Sequence, residues 1–195
     1  ETDDEFVLTL RNRLFDHYTT SFATFKKAAE KKEELRRYFY EALRPATSKV
    51  STQVYILPND SSGYLSDVVN ILTKHGVNVE RASQEFSVRD ALDYRNGSSS
   101  ERQFRSGDII VSADQPRHLF INSILQPQLE IEDSVMYDMA TWSAPLAYNL
   151  EAFATDRSVD VSSETISETP AYPSGVSNPE ATYAFAIEWK QHNAP

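Results

Sequence analysis

The sequence predicts an α/β fold: a mixed, partly parallel sheet of about four or five strands flanked by helices, with a long N-terminal helix. Three observations predict it. Apolar residues recur at three- and four-residue steps from Val7 to Leu43. Short β-rich runs alternate with helical patterns between Gln53 and Leu125. Proline, glycine and asparagine punctuate most changes of period. At 195 residues, 40% hydrophobic and 11% aromatic, the chain can bury one good core beside a satellite segment.

Residues 3–44 read as helix. Val7, Leu10, Leu14, Tyr18, Phe22, Phe25, Ala29, Leu35, Phe39 and Leu43 fall on one stripe. Thr2 is the expected cap, followed by acidic first-turn residues, and Pro45 is the stop. Thr19, Thr20 and Ser21 mark the weak point where a kink or break is expected. The mixed-charge run from Lys26 to Arg37 reads as a solvated helix face. About 40 residues at 1.5 Å each span roughly 60 Å, more than the width of such a domain. Part of the stripe should therefore face a neighbour, and the expected self-association face is Val7, Leu10, Leu14 and Tyr18. Residues 28–43 are expected to pack on the sheet.

A strand–helix–strand unit follows. The first strand is Gln53-Val54-Tyr55-Ile56-Leu57, leaving through Pro58-Asn59-Asp60. Ser61 or Ser62 is the expected cap of a helix carrying Leu65, Val68, Val69 and Leu72, which ends at Lys74-His75-Gly76. Val77-Asn78-Val79-Glu80-Arg81 reads as the second strand, joined to the first by a right-handed parallel crossover. Residues 84–88 suggest another strand, and 90–106 a polar stretch with a mobile turn at 96–100. Asp108-Ile109-Ile110-Val111 is a buried-strand run leading to the turn Asp114-Gln115-Pro116 and a short helix whose apolar side is Leu119, Phe120, Ile124 and Leu125. Tyr137, Met139, Trp142, Pro145 and Leu146 form a dense apolar stretch expected to make a fitted corner. The expected organisation is thus a helix or helical hairpin over 1–45, an α/β domain over 50–150, a mobile linker or loop over 157–181, and a strand over 182–195 that completes the sheet or starts another domain.

The formal charge of −10 disfavours nucleic acid and anionic membranes as main partners, since both want clustered Lys and Arg. The absence of cysteine removes disulfides, thiolate zinc sites and cysteine nucleophiles. No run has the roughly 18 apolar residues of a membrane span. Beginning at Glu1 without Met or signal peptide, the chain is expected to be a piece of something longer.

Motifs are scarce. His17, His75, His118 and His192 form neither an HxxE nor an HExxH motif, and each is expected to serve a surface or capping role. Five glycines, at 63, 76, 97, 107 and 175, form no phosphate cradle. There is no GxSxG elbow. Asp114, with Gln115 and Arg117, sits where a strand end could meet a ligand, although a helix cap is the simpler reading of Asp114. Trp142 is first a core anchor and second an interface residue.

The order RRYFYEALRPA, VYILPND, HGVNVERA, GDIIVSADQPRHLFINSILQPQ and YDMATWSAPL resembles the region following the peptidase domain in large exported bacterial proteins of the zinc carboxypeptidase family, the carboxypeptidase-A-like metallopeptidases. The resemblance covers most of residues 30–150. It implies an accessory, non-catalytic segment that packs against or shapes an upstream peptidase domain, in an extracellular or periplasmic protein. Zinc would be held in that upstream domain, with no cofactor in this segment. No catalytic or metal residue carries over, because the family's HxxE…H motif is missing here. The alternative is an independent ligand- or protein-binding α/β module using the strand ends near Asp114 and Pro58-Asn59-Asp60.

Overall fold

The computed structural model describes residues 7–44, 52–60, 63–127 and 143–167. The chain divides into two units, Glu1–Ala42 and Leu43–Pro195.

Among its described residues the first unit holds two helices, α1 (Leu10–Glu30) and α2 (Lys32–Ala42). The cap of α1 is Thr9, whose Oγ1 accepts from the amide of Asn12 at 3.2 Å. The expected cap at Thr2 lies outside the described residues. The helix passes unbroken through Thr19-Thr20-Ser21. The hydroxyls of Thr20 and Thr24 donate back to the carbonyls of Asp16 and Thr20, so these residues satisfy themselves within the helix. The interruption falls instead at Lys31 (φ −102°, ψ 16°), where strong helix formers had suggested continuity. Pairs Lys27–Glu30, Lys31–Glu34 and Glu33–Arg36 flank it, each three residues apart and exposed. Neither helix has a buried residue. Leu35 and Phe39 are 49% and 64% exposed.

Among the described residues the second unit has seven strands: β1 (Val54–Leu57), β2 (Glu80–Ala82), β3 (Phe86–Asp93), β4 (Ser99–Phe104), β5 (Ile109–Ser112), β6 (Phe153–Thr155) and β7 (Ser163–Thr165). Their order is β4-β3-β6-β1-β5-β2-β7, and every pairing is antiparallel. This corrects the expected mixed, partly parallel sheet of four or five strands. The reason is the place of β5. It inserts between β1 and β2, antiparallel to both, so the two ends of the strand–helix–strand unit run the same way without touching. Three strands are missing from the expectation: β6, a buried central strand of only three residues, and two polar edges. β4 reads Ser-Ser-Glu-Arg-Gln-Phe with only Phe104 buried, and β7 reads Ser-Glu-Thr with none buried. An edge strand needs no apolar alternation to pair on one side, and charges there discourage further pairing. Residues 163–165, placed in a linker by composition, pair with β2, while the strand expected over 182–195 lies outside the described residues.

The helices of this unit among the described residues are α3 (Tyr64–Lys74), α4 (His118–Leu125) and the single turn α5 (Ala144–Ala147). The series β1-α3-β2-β5-α4-β6, with central strand order β6-β1-β5-β2, is the split β-α-β arrangement of ferredoxin-like folds. The hairpin β3–β4 is inserted between β2 and β5, and β7 is added at the edge.

Alternation along β1 divides the interior in two. Tyr55 and Leu57 join Ile109, Val111 and Ala154 under α3 and α4, where Leu65, Val68, Val69, Leu72, Ile121 and Leu125 complete the larger core. Gly76, at φ 73°, ends α3 as expected. The buried side of α4 is His118, Ile121, Asn122 and Leu125. Leu119, counted on its apolar side from sequence, is half exposed. Val54, Ile56 and Ile110 face the other way, and with Phe153 are covered by Val88, Ala91 and Phe104 of the hairpin and by Val159 and Val161. A bulge between Val88 and Ala91, where β3 spends one residue more than β4, bends the hairpin toward this second core.

Candidate functional site

A cleft of about 500 Å³ opens where the hairpin meets the end of β1. Its walls come from distant parts of the chain: Pro58 and Asn59 after β1, Glu85 before β3, the run Arg102-Gln103-Phe104-Arg105 leaving β4, Asp108 before β5, and Glu151 before β6. That volume lies in the range of ordinary small-ligand sites.

The frame is fixed by Asp108, which is 5% exposed. Its Oδ1 accepts from the amide of Asn59 at 2.9 Å and its Oδ2 from the amide of Arg105 at 2.8 Å. One carboxylate therefore ties the end of β1 to the corner between β4 and β5. Charge-assisted bonds of this kind are worth about 1.5–3 kcal/mol each. The corner is docked on β2, with the amide of Gly107 donating to the carbonyl of Ala82 and the amide of Ala82 to that of Asp108. Gly107 has φ 97°, a region that an L side chain rarely adopts, and a Cβ there would stand 3.4 Å from Nδ2 of Asn59.

The floor is Phe104, the aromatic residue that lines the cleft, with two further rings packed against it. Phe104 stacks on Phe86 with centroids 5.1 Å apart and meets Phe153 edge-on at 5.3 Å. The guanidinium carbon of Arg102 lies 5.1 Å from the Phe153 centroid, which orients the cation. Around this floor the side chains of Glu85, Arg102, Arg105 and Glu151 make no ion pair or hydrogen bond among the described residues. Two cations and two carboxylates line one cleft without pairing with one another.

Only part of this was expected from sequence. Pro58 and Asn59 do line the cleft, but Asp114 is elsewhere. Because β1 and β5 are antiparallel, with Val54 opposite Ser112 and Leu57 opposite Ile109, the two strand ends lie at opposite edges of the sheet. Asp114 is exposed, its amide donating to Oγ of Ser112 at 3.1 Å, and α4 starts at His118 with no side-chain cap. Gln115 is a structural clamp. Its Oε1 accepts from the amide of Asn78 at 2.7 Å, and its Nε2 donates to the carbonyls of Asn78 and Ser112 at 3.1 and 2.7 Å. Arg117 immediately precedes α4, with its guanidinium beside Gly76. Trp142 lies outside the described residues. The charged cleft residues carry no motif and are joined only by the fold.

Beneath α4 sits a buried polar cluster. The hydroxyl of Tyr55 donates to Oδ1 of Asn122, and that of Tyr94 to the carbonyl of Leu125. Burial pushes both phenols well above their ordinary range, and for Tyr94 the neighbouring Tyr55 adds to the rise. Both ring nitrogens of His118 and Nδ2 of Asn122 are buried without a partner among the described residues. His118 is thus an interior residue, not the surface or capping histidine expected. Among the described residues no group of three or more His, Asp or Glu side chains gathers to hold a metal ion, and no helix is long and apolar enough to cross a membrane.

The second candidate surface is the helical unit, where Val7, Leu10, Leu14 and Tyr18, together with Phe22, Phe25, Tyr38 and Phe39, are each 62–75% exposed. No family model, curated protein or solved structure matches this chain.

Proposed function

We propose that this chain is a non-catalytic binding module that assembles with a second copy of itself through α1 and α2, and in doing so presents its sheet unit to a ligand. The observation that carries the reading is the helical unit, in which neither helix buries a residue although an apolar stripe runs along both. Isolated helices are marginal in water, and most of their stability in proteins comes from packing an apolar face. A stripe of this size is occupied in the working protein.

Area favours a second copy. An aromatic side chain buries roughly 150–250 Å², so at about two-thirds exposure Tyr18, Phe22, Phe25, Tyr38 and Phe39 offer on the order of 500–850 Å² per chain. The leucines add to that, which brings the stripe to the roughly 800 Å² per partner of a standard interface. A self-complementary pairing closes the assembly with no further component. The resemblance to the segment that follows a carboxypeptidase-family peptidase domain rests on the order of sequence pieces and assigns no residue a role. The cleft offers charged and amide side chains, which suit recognition by contact.

The test is sedimentation of the full 195-residue chain at micromolar concentration. A dimer is expected, and replacing Leu10 and Leu14 with Glu should yield a monomer whose sheet unit melts at the same temperature. A monomeric parent chain, or a double substitution that unfolds the sheet unit, would overturn the reading.

A further inference from the structure

The geometry points to the cleft between Asn59 and Arg105 as a site for a short zwitterionic peptide, bound by its free carboxylate at Arg102 and Arg105 and by its free ammonium at Glu85 and Glu151. This goes beyond assembly through the helices and does not depend on it, since every residue concerned lies in the sheet unit.

Charge restricts the ligand first. A purely anionic ligand would meet Glu85 and Glu151, and a purely cationic one would meet Arg102 and Arg105. Only a molecule carrying both signs pairs with all four. The fifth charge, on Asp108, is already committed to the amides of Asn59 and Arg105 and acts as frame. Arginine suits the carboxylate end, because its planar fork gives two parallel donors. The Phe153 ring already holds Arg102 from one side, so part of the ordering is done before a ligand arrives. Size then selects within the class. A cleft of about 500 Å³ is larger than a single small amino acid needs and has room for a peptide of two to four residues. Asn59 and Gln103 line the space between, where peptide amides would need donors and acceptors.

The experiment titrates the full chain with trialanine, N-acetyl-trialanine and trialanine amide, following backbone amide resonances. Shifts at Asn59, Gln103 and Arg105 are expected with trialanine below about 10 mM. Each blocked form should bind about tenfold more weakly, one charge-assisted contact being lost in each. Arg105→Gln should bind the free peptide and its amide equally. Glu151→Gln should bind the free and acetylated peptides equally. Thermal melts of both variants should match the parent, since neither side chain has a partner among the described residues to lose. Equal binding of all three peptides by the parent chain, or no shift in the cleft, overturns the assignment. So does a variant that melts normally yet keeps the parent's discrimination.

Discussion

Tyr55 at the centre of the sheet and Asn122 on α4 are joined by a single hydrogen bond, 2.8 Å from the phenol oxygen to Oδ1. Both are buried, and Nδ2 of the same amide has no partner among the described residues. The bond therefore satisfies the only atom of Asn122's amide that is satisfied there. Replacing Tyr55 with Phe keeps the ring in the core and removes the donor. An unsatisfied buried acceptor costs about 1–3 kcal/mol, so urea unfolding of Tyr55→Phe should show a loss of that size with an unchanged m-value. A loss below about 0.5 kcal/mol would mean that the oxygen finds another donor.

The same burial governs stability at high pH. In the unfolded chain Tyr55 and Tyr94 ionise near pH 10, while in the folded chain burial holds both pKa values above that. Below pH 10 both states carry neutral phenols and the full contribution is present. Above it the unfolded state loses protons that the folded state retains. Stability then falls with rising pH by about 1.4 kcal/mol per pH unit for each tyrosine. Denaturation midpoints at pH 9, 10 and 11 should show the decline, and the Tyr55→Phe, Tyr94→Phe pair should flatten it. An unchanged slope in the double variant would place the cause elsewhere.

Gln115 provides a third check. Its amide reaches the backbone of Asn78 twice and that of Ser112 once, holding the passage from α3 into β2 against the end of β5. Each such bond contributes about 1 kcal/mol net. Gln115→Ala should cost about 2–3 kcal/mol and speed amide exchange at Asn78, whose hydrogen is bonded to the lost oxygen. Unaltered exchange there would show that the loop holds its shape without the clamp.

Local patterns in the sequence were legible where burial was dense. The runs at β1 and β5 reflect strands buried between the two cores, the apolar face of α3 packs in the larger one, and a glycine in the left-handed region marks where that helix stops. Pairing direction was not legible, because the crossover from β1 to β2 looks the same whether or not β5 lies between them. The polar strands β4 and β7 carry no periodic signal, since only one edge of each is engaged. His118 was misread because a polar residue on a helix defaults to the surface, yet here it shares a face with Ile121 and Leu125. The cleft was half legible. Pro58 and Asn59 mark a strand exit in sequence, but Glu85, Arg102, Arg105 and Glu151 acquire meaning only when the antiparallel order brings four segments together.

Gly107 tests the frame of the cleft from within. At φ 97° an alanine pays roughly 1–2 kcal/mol of backbone strain, and its Cβ would stand 3.4 Å from Nδ2 of Asn59. Gly97 in the β3–β4 turn is the control, because at φ 67° it pays a similar backbone cost while nothing lies within 4 Å of its added Cβ. Both alanine variants should therefore unfold at lower urea. Only Gly107→Ala should shift the Asn59 amide, whose hydrogen is bonded to Oδ1 of Asp108. Gly97→Asn should recover most of the loss at that position, since asparagine tolerates the left-handed region. The corner has the rigidity ascribed to it only if Gly107→Ala perturbs both the Asn59 resonance and the peptide affinity. A variant that loses stability while both stay unchanged would show that the loop moves freely and that Asp108 does not hold the cleft in shape.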